Sequence, residues 1–229
     1  MRSSRWDAQG NVYLVVDGGQ LTPERVRASV DDTDGILEVF GHGDDWVDIG
    51  IWNPDGSRAE MSGNGTRIAA RWLAARTDAG EVVVRVGPRE VRARMLDGDL
   101  VEQDLGKVQV GEPEEVDGIR FVAVDVGNPH AVVDGDPAQL PVIGPKLEVH
   151  PRFPRRTNVQ VARIVAPGVV EARVWERGAG ETASSGSSAV AVAAALGVSP
   201  ATIRFPGGEL HVRLEDGRAF LTGPAAQVD

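Results

Sequence analysis

Chemistry in this chain gathers where a polar, glycine-rich loop opens an apolar helix. The stretch Trp175-Glu176-Arg177-Gly178-Ala179-Gly180-Glu181-Thr182-Ala183-Ser184-Ser185-Gly186-Ser187-Ser188 runs from a β-like segment, Val169 to Trp175, into Ala189–Leu196. That last segment has no charged side chain, and a helix apolar all round is a buried helix. Its first N–H groups lack intrahelical acceptors and stand at the positive end of the helix dipole. Glu176, Arg177, Ser185 and Ser187 bring a carboxylate, a guanidinium and hydroxyls to that point. Such a helix start suits an anionic ligand.

The construction occurs twice. Ser62-Gly63-Asn64-Gly65-Thr66-Arg67 opens Ile68–Ala75, again a loop of small residues before an Ala-rich helix. Upstream, Gly10-Asn11-Val12-Tyr13-Leu14-Val15-Val16-Asp17 matches Gly127-Asn128-Pro129-His130-Ala131-Val132-Val133-Asp134 position for position. Asn11 precedes Ser62 by 51 residues and Asn128 precedes Ser185 by 57. Two ordered signatures at similar spacing indicate a duplicated half.

Length and composition agree with that organisation. The 229 residues suffice for two domains of roughly 100–120 residues each. A net charge of −10 and five scattered Trp argue against a nucleic-acid surface. No apolar run approaches the ~18 residues of a membrane span, and no apolar signal segment follows Met1-Arg2-Ser3-Ser4-Arg5, so the expected location is cytoplasmic. The chain has no cysteine, which removes disulfides, thiolate metal sites and thiol catalysis. His42, His130, His150 and His211 lie far apart without metal-ligand spacing, and no metal is expected.

The positioning elements read as many short strands with one central helix per half. Strands are expected over Asn11–Asp17, Ile36–Phe40, Trp46–Trp52, Val82–Val86, Val91–Met95, Ile119–Val126, Asn158–Val165, Val169–Trp175, Thr202–Phe205, Glu209–Leu214 and Arg218–Thr222. Thr22-Pro23 caps and starts a short helix to about Val30. Asn53-Pro54-Asp55-Gly56 fits a type I turn. The Gly111-Glu112-Pro113-Glu114-Glu115 patch is the expected boundary, giving halves 1–112 and 113–221, with the terminal segment 222–229 able to rejoin the first. The fold class is α+β, with each half a curled, mostly antiparallel sheet around a buried helix.

Several of these motifs resemble those of the diaminopimelate epimerases. They are Asn128-Pro129-His130, Thr157-Asn158, Glu176-Arg177-Gly178-Ala179-Gly180-Glu181-Thr182, Gly63-Asn64-Gly65-Thr66-Arg67, Ile143-Gly144-Pro145 and Leu221-Thr222-Gly223-Pro224-Ala225. They keep the family's order from about Trp6 to Gln227. The resemblance implies a racemase that needs no cofactor, with two pseudo-symmetric domains and an active site between them. Its substrate would be the small amino acid diaminopimelate, in lysine and peptidoglycan synthesis. It also implies a homodimer, the assembly members often form.

In the family a cysteine heads each central helix, one taking the α-proton and the other delivering a proton to the opposite face. Here the two positions are Ser62 and Ser185. A hydroxyl ionises far less readily than a thiol of pKa ~8.5, and a helix dipole contributes only about 0.3–2 kcal/mol. The serines are therefore expected to weaken or silence the reaction, with His130 the best candidate to assist. Three readings stay open: a deliberate exchange of both thiols, a cysteine-free member with weak or altered activity, and a member that eliminates water or only binds.

By the same resemblance Gly63, Asn64, Gly186 and Ser187 would cradle the α-carboxylate. Asn11, Asn53, Asn128 and Asn158 would be substrate contacts, Asn158 at the distal end. Glu176 would hold the distal ammonium and Arg177 the distal carboxylate. Each has a plainer reading: Asn53 opens a turn, Asn11 and Asn128 serve tight turns, Glu176 and Arg177 pair with each other, and the glycines cap helices. Asn53, Asn158, Glu176 and Arg177 together suit a substrate with two amino-acid ends. Competing readings are a racemase, epimerase or dehydratase of another amino acid such as histidine or hydroxyproline, and a binding-only homologue. A serine hydrolase lacks Gly-x-Ser-x-Gly around Ser185. Lys107 and Lys146 lie in no pyridoxal-phosphate context. The N-terminal loop Asp7-Ala8-Gln9-Gly10-Asn11-Val12 departs from the family's His-Gly/Ala-Leu-Gly-Asn-Asp-like pattern, which bears on closure over the substrate.

Overall fold

The computed structural model describes residues 2–30 and 32–228; the last residue of the expected terminal segment 222–229 lies outside them. The chain divides into two compact units, Met1–Asp104 with Thr222–Asp229, and Leu105–Leu221. Among the described residues no helix is long and apolar enough to cross a membrane.

The first unit contains β1 (Arg2–Asp7), β2 (Val12–Asp17), α1 (Pro23–Ser29), β3 (Gly35–His42), β4 (Trp46–Trp52), β5 (Arg58–Ala59), α2 (Gly63–Thr77), β6 (Glu81–Val86) and β7 (Arg89–Met95). β8 (Leu100–Lys107) leads out of it. β2 lies antiparallel to β1 and parallel to β3, and β4 lies antiparallel to β3 and β5 and parallel to β6. Alternation explains the strands: in β6, Val82, Val84 and Val86 face inward and the intervening residues do not. Thr22 accepts the Arg25 N–H at 3.3 Å and Pro23 takes the first helical position, as the sequence indicated for α1.

The second unit repeats this order. After β9 (Gln109–Val116) come β10 (Ile119–Asp125), β11 (Pro129–Asp134), a 3-10 turn (Pro137–Gln139), α3 (Leu140–Glu148), β12 (Asn158–Ala166), β13 (Val169–Glu176), β14 (Gly180–Thr182), α4 (Gly186–Ala195), β15 (Ala201–Phe205) and β16 (Gly208–Glu215). β17 (Arg218–Pro224) leads back to the first unit, where β18 (Ala226–Val228) pairs with β1. β11 runs parallel to β12, β12 antiparallel to β13, and β13 antiparallel to β14 and parallel to β15. The sequence repeat is therefore a repeat of topology. In each unit the helix follows the short fifth strand and precedes the strand that returns parallel to the fourth.

Each central helix is packed from several sides. α2 touches β2, β3, β4, β6, β7 and β18, and α4 touches β10 to β13, β15 and β16. Ala189, Val190, Ala191, Val192 and Ala193 are wholly buried, and each valine contributes roughly 1.5–3 kcal/mol by leaving water. A second cluster in this unit, Leu140, Leu147, Phe153, Val159 and Val161 with Phe121, seats α3 on its sheet.

Two stretches differ locally from the expected elements. Gly111–Glu115, expected as a boundary patch, lies within β9, with Glu114 opposite Phe121 and Pro113 opposite Val122. Its largely exposed residues carry no apolar alternation to betray a strand. α4 begins at Gly186, three residues before the apolar run, because the cap is Ser185 and not the end of the polar loop.

Gly144 shows how tightly α3 is seated: a methyl group there would meet Trp175 Cβ and Cγ at 2.8 Å. Gly144→Ala is expected to destabilise the second unit by about 1–3 kcal/mol, read as a lower denaturation midpoint with an unchanged slope.

Candidate active site

Ser62 and Ser185 occupy the same place in their units, the residue before the central helix, with extended backbone conformations. Their side chains do different things. Ser62 Oγ accepts the Gly65 N–H at 3.0 Å and lies 3.2 Å from the Tyr13 hydroxyl. The Ser185 hydroxyl makes no cap hydrogen bond. Helix geometry thus leaves N–H groups of Gly186, Ser187 and Ser188 without an intrahelical acceptor at α4, against Gly63 and Asn64 at α2.

Around the α2 head, a chain of amides leads inward. Asn64 Nδ2 donates to Asn11 Oδ1 at 3.3 Å, and Arg67 Nη2 donates to Asn64 Oδ1 at 2.9 Å. Arg67 Nε reaches the Pro224 carbonyl at 2.9 Å. The Arg67 guanidinium is wholly buried, and that burial lowers its pKa to about 10 although the charge of Asp7 opposes the shift. It stays a cation at neutral pH. A buried cation beside a helix N-terminus raises the local potential and favours an anion there. Asn53 lies at the end of β4 and opens the expected turn: Gly56 N–H donates to its carbonyl, and its Nδ2 donates to Ser57 Oγ at 2.9 Å.

Around the α4 head the corresponding network runs through His130. Gln160 Nε2 lies 3.0 Å from His130 Nδ1 and 2.9 Å from Ser188 Oγ, while His130 Nε2 lies 2.9 Å from Asn128 Oδ1. With Gln160 donating, Nδ1 accepts and the proton sits on Nε2, donated to Asn128. The ring is only 1 % exposed, and burial first, with the charge of Arg177 adding, pulls its pKa down to about 3. Neutral, buried and engaged at both nitrogens, His130 positions Asn128.

The other second-unit residues converge on one turn. Asn158, at the start of β12, donates through Nδ2 to the Pro129 carbonyl at 3.0 Å and accepts the Arg177 N–H at 3.0 Å. It therefore ties the loop carrying Asn128 to the turn carrying Glu176 and Arg177. That turn is also held by Glu148, which the sequence did not single out. The buried Glu148 accepts the Gly178 N–H at 2.9 Å and the Trp175 indole N–H at 2.8 Å, with Arg156 at 3.3 Å. In the first unit Glu38, 2 % exposed, accepts the Trp52 indole at 2.8 Å and pairs with Arg58 at 2.8 Å. In both units a buried carboxylate thus anchors the Trp that precedes a substrate-contact candidate, Asn53 or Glu176. Nothing in local pattern announces either glutamate.

Each unit thus presents the N-terminus of its central helix with a serine at the cap. Solved structures share the fold. A predicted epimerase from Pseudomonas aeruginosa superposes with a TM-score of 0.78 at 16% identity, covering 100% of this chain and 97% of that one. A hydroxyproline epimerase from Agrobacterium vitis gives 0.67 at 16% identity, covering 99% and 88%. The sequence is more specific. The family model for diaminopimelate epimerase matches residues 122–228. The diaminopimelate epimerase of Synechococcus elongatus is 35% identical over 276 aligned positions, covering 100% of this chain and 96% of the relative. That of Pelotomaculum thermopropionicum is 35% identical, covering 85% and 81%. The chain belongs to the diaminopimelate epimerase family.

The His130 environment has a consequence for stability. The unfolded ring takes a proton below pH ~6.5 and the folded one only near 3, so the unfolded state binds more protons between them. This contribution is complete above the unfolded pKa and is lost as pH falls. From about pH 7 to pH 5 it removes about 2 kcal/mol. Chemical denaturation at both pH values is expected to show this loss, reduced in His130→Gln.

Proposed function

We propose that this chain is a diaminopimelate epimerase-type isomerase, interconverting the LL and meso forms by removing the proton at one Cα and returning one to the opposite face. The observation that carries the reading is the duplicated helix head, with a proton-bearing side chain, Ser62 or Ser185, at each cap. Inversion of a stereocentre needs one acid and one base, and each unit presents one helix head with such a group.

In this reading the substrate α-carboxylate is held by N–H groups of Gly63, Asn64, Gly186 and Ser187, where the helix dipoles and Arg67 favour negative charge. Asn11 and Asn128 are substrate contacts, aimed by Asn64 and His130. Asn53, Asn158, Glu176 and Arg177 read the distal amino-acid end, with Glu176 on the ammonium and Arg177 on the carboxylate. The proton leaves Cα with its electron pair staying behind, delocalised into the carboxylate. The helix heads offset that negative charge. The reaction changes no oxidation state, so the residues suffice without a cofactor. We place the enzyme in the cytoplasm, as a homodimer acting on a small amino acid and not on nucleic acid.

A second reading, a homologue that binds diaminopimelate without turning it over, is favoured by the two serines. Proton-transfer groups typically contribute about 10²–10⁴-fold to rate. Deuterium entry at Cα of diaminopimelate in D2O, followed by NMR, is expected to rise on the order of 100-fold or more in Ser62→Cys/Ser185→Cys. Tight binding with no exchange in either chain would favour the binding-only reading. Neither binding nor exchange would reject diaminopimelate as substrate.

A further inference from the structure

The residue that distinguishes the α2 head from an ordinary capped helix is Tyr13. Its hydroxyl lies 3.2 Å from Ser62 Oγ although 49 residues separate the two in the chain. The repeat places Tyr13 at the position of His130. Each is the second residue of the strand after its Gly-Asn loop, and each pairs with the first residue of the parallel strand, Gly35 or Asn158. In the first unit that partner is glycine, and the space decides the geometry: a Cβ on Gly35 would come within 2.8 Å of Tyr13 Cε1. The missing side chain admits the phenol ring. The ring is buried, at 7 % exposure, so its hydroxyl is held where Ser62 is.

Ser62 already accepts the Gly65 N–H. A hydroxyl has one proton and two acceptor positions, so Ser62 can accept the Gly65 N–H and still hydrogen-bond the Tyr13 oxygen. Arg67, on α2, donates to Asn64, two residues beyond Ser62, at 2.9 Å, while Asp34, beside Gly35, accepts the Val12 N–H at 2.7 Å. The helix dipole and the buried guanidinium both favour a negative oxygen here.

We infer that Tyr13 and Ser62 work as one proton-transfer unit, in which Ser62 faces the substrate Cα and Tyr13 holds the proton behind it. This rests on the epimerase reading above. In the forward direction Tyr13 starts as phenolate. The Cα–H bond breaks, its electron pair remains on Cα, and the proton passes to Ser62 Oγ as the serine's own proton moves to the Tyr13 oxygen. One negative charge disappears from the phenolate and one appears on the substrate. In reverse, Ser62 protonates Cα and recovers its proton from the phenol. Tyr13 acts through Ser62 and is a positioning, proton-holding residue. An ordinary phenol ionises near pKa ~10, against ~8.5 for a thiol and far higher for an isolated serine hydroxyl. The pair therefore restores to this helix head a base that serine alone cannot provide.

Tyr13 is the chain's single tyrosine, so the phenolate band in ultraviolet difference spectra reports on it alone. The test follows deuterium entry at Cα of diaminopimelate against pH for the native chain, Tyr13→Phe, Ser62→Cys/Ser185→Cys, and the cysteine chain carrying Tyr13→Phe. The phenolate titration is recorded for the native chain and Ser62→Ala. The inference expects native exchange to rise roughly tenfold per pH unit toward the phenol range, and the cysteine chain to level off near ~8.5. Tyr13→Phe should lower native exchange at least tenfold, and by at least tenfold more than it lowers exchange in the cysteine chain. Ser62→Ala should shift the tyrosine titration. Exchange that ignores Tyr13→Phe, or a native chain that does not exchange while the cysteine chain does, overturns the pairing. If the cysteine chain is also silent, the epimerase reading has failed and the inference falls with it.

Discussion

Everything in this fold depends on enclosing two helices while leaving their N-termini chemically available. An apolar helix such as α4 is stable only when other elements cover its sides, and the sheet of its unit does so from both flanks. The helix start then concentrates unsatisfied N–H groups and the positive end of a dipole in a region poor in water, where both act more strongly than at a surface. The small residues Gly63, Gly65 and Gly186 serve that end. A Cβ on Gly65 would press on Ser62 and on Leu37 within 3.3 Å, disturbing the hydrogen bond that seats the serine. Packing and chemistry therefore constrain the same few positions.

Duplication solves the symmetry of the reaction but leaves the copies free to diverge, and they have. At the α2 head the charge is carried by a buried arginine and the serine is tied into the cap. At the α4 head the helix carries no charge and the serine is uncapped. The equivalent strand position is a phenol in one unit and an imidazole in the other. The imidazole is held by Gln160 and Asn128, which makes it a rigid neutral donor; the phenol rests directly on the serine. The two heads differ accordingly: α2 presents a tyrosine–serine pair, α4 helix N–H groups that its cap serine does not engage.

Much of this was legible in the sequence because it is written locally. Gly-Asn before a β-branched run, and a polar small-residue loop before an Ala/Val run, are short patterns that repeat, so the two central helices could be placed from one dimension. The start of α4 was read late because Gly186, Ser187 and Ser188 look like loop, whereas it is the position of Ser185 that sets the cap. The Gly111–Glu115 stretch of β9 reads as a boundary because a strand with little buried surface has no alternation to display. Glu38 and Glu148 escaped notice for a different reason. Each is buried by partners far along the chain, Trp52 and Leu21 in one case and Gly178 and Trp175 in the other. Long-range satisfaction of a carboxylate leaves no mark on the residues beside it.

The same distinction separates what serine removes from what the fold retains. Judged residue by residue, replacing thiol with hydroxyl takes away the base, because the intrinsic acidity of a serine cannot be recovered by a helix dipole worth about 0.3–2 kcal/mol. Judged by contacts, the hydroxyl at position 62 gains what a residue-by-residue account omits, a second titratable oxygen bonded to it. In the proposed pairing, acidity at the α2 head belongs to the hydrogen-bonded pair, with Ser62 meeting the substrate and Tyr13 storing the proton. Among the described residues the cap serine of α4 makes no cap hydrogen bond, and the strand residue equivalent to Tyr13 is turned to Gln160 and Asn128, so the two heads differ in the group that each presents.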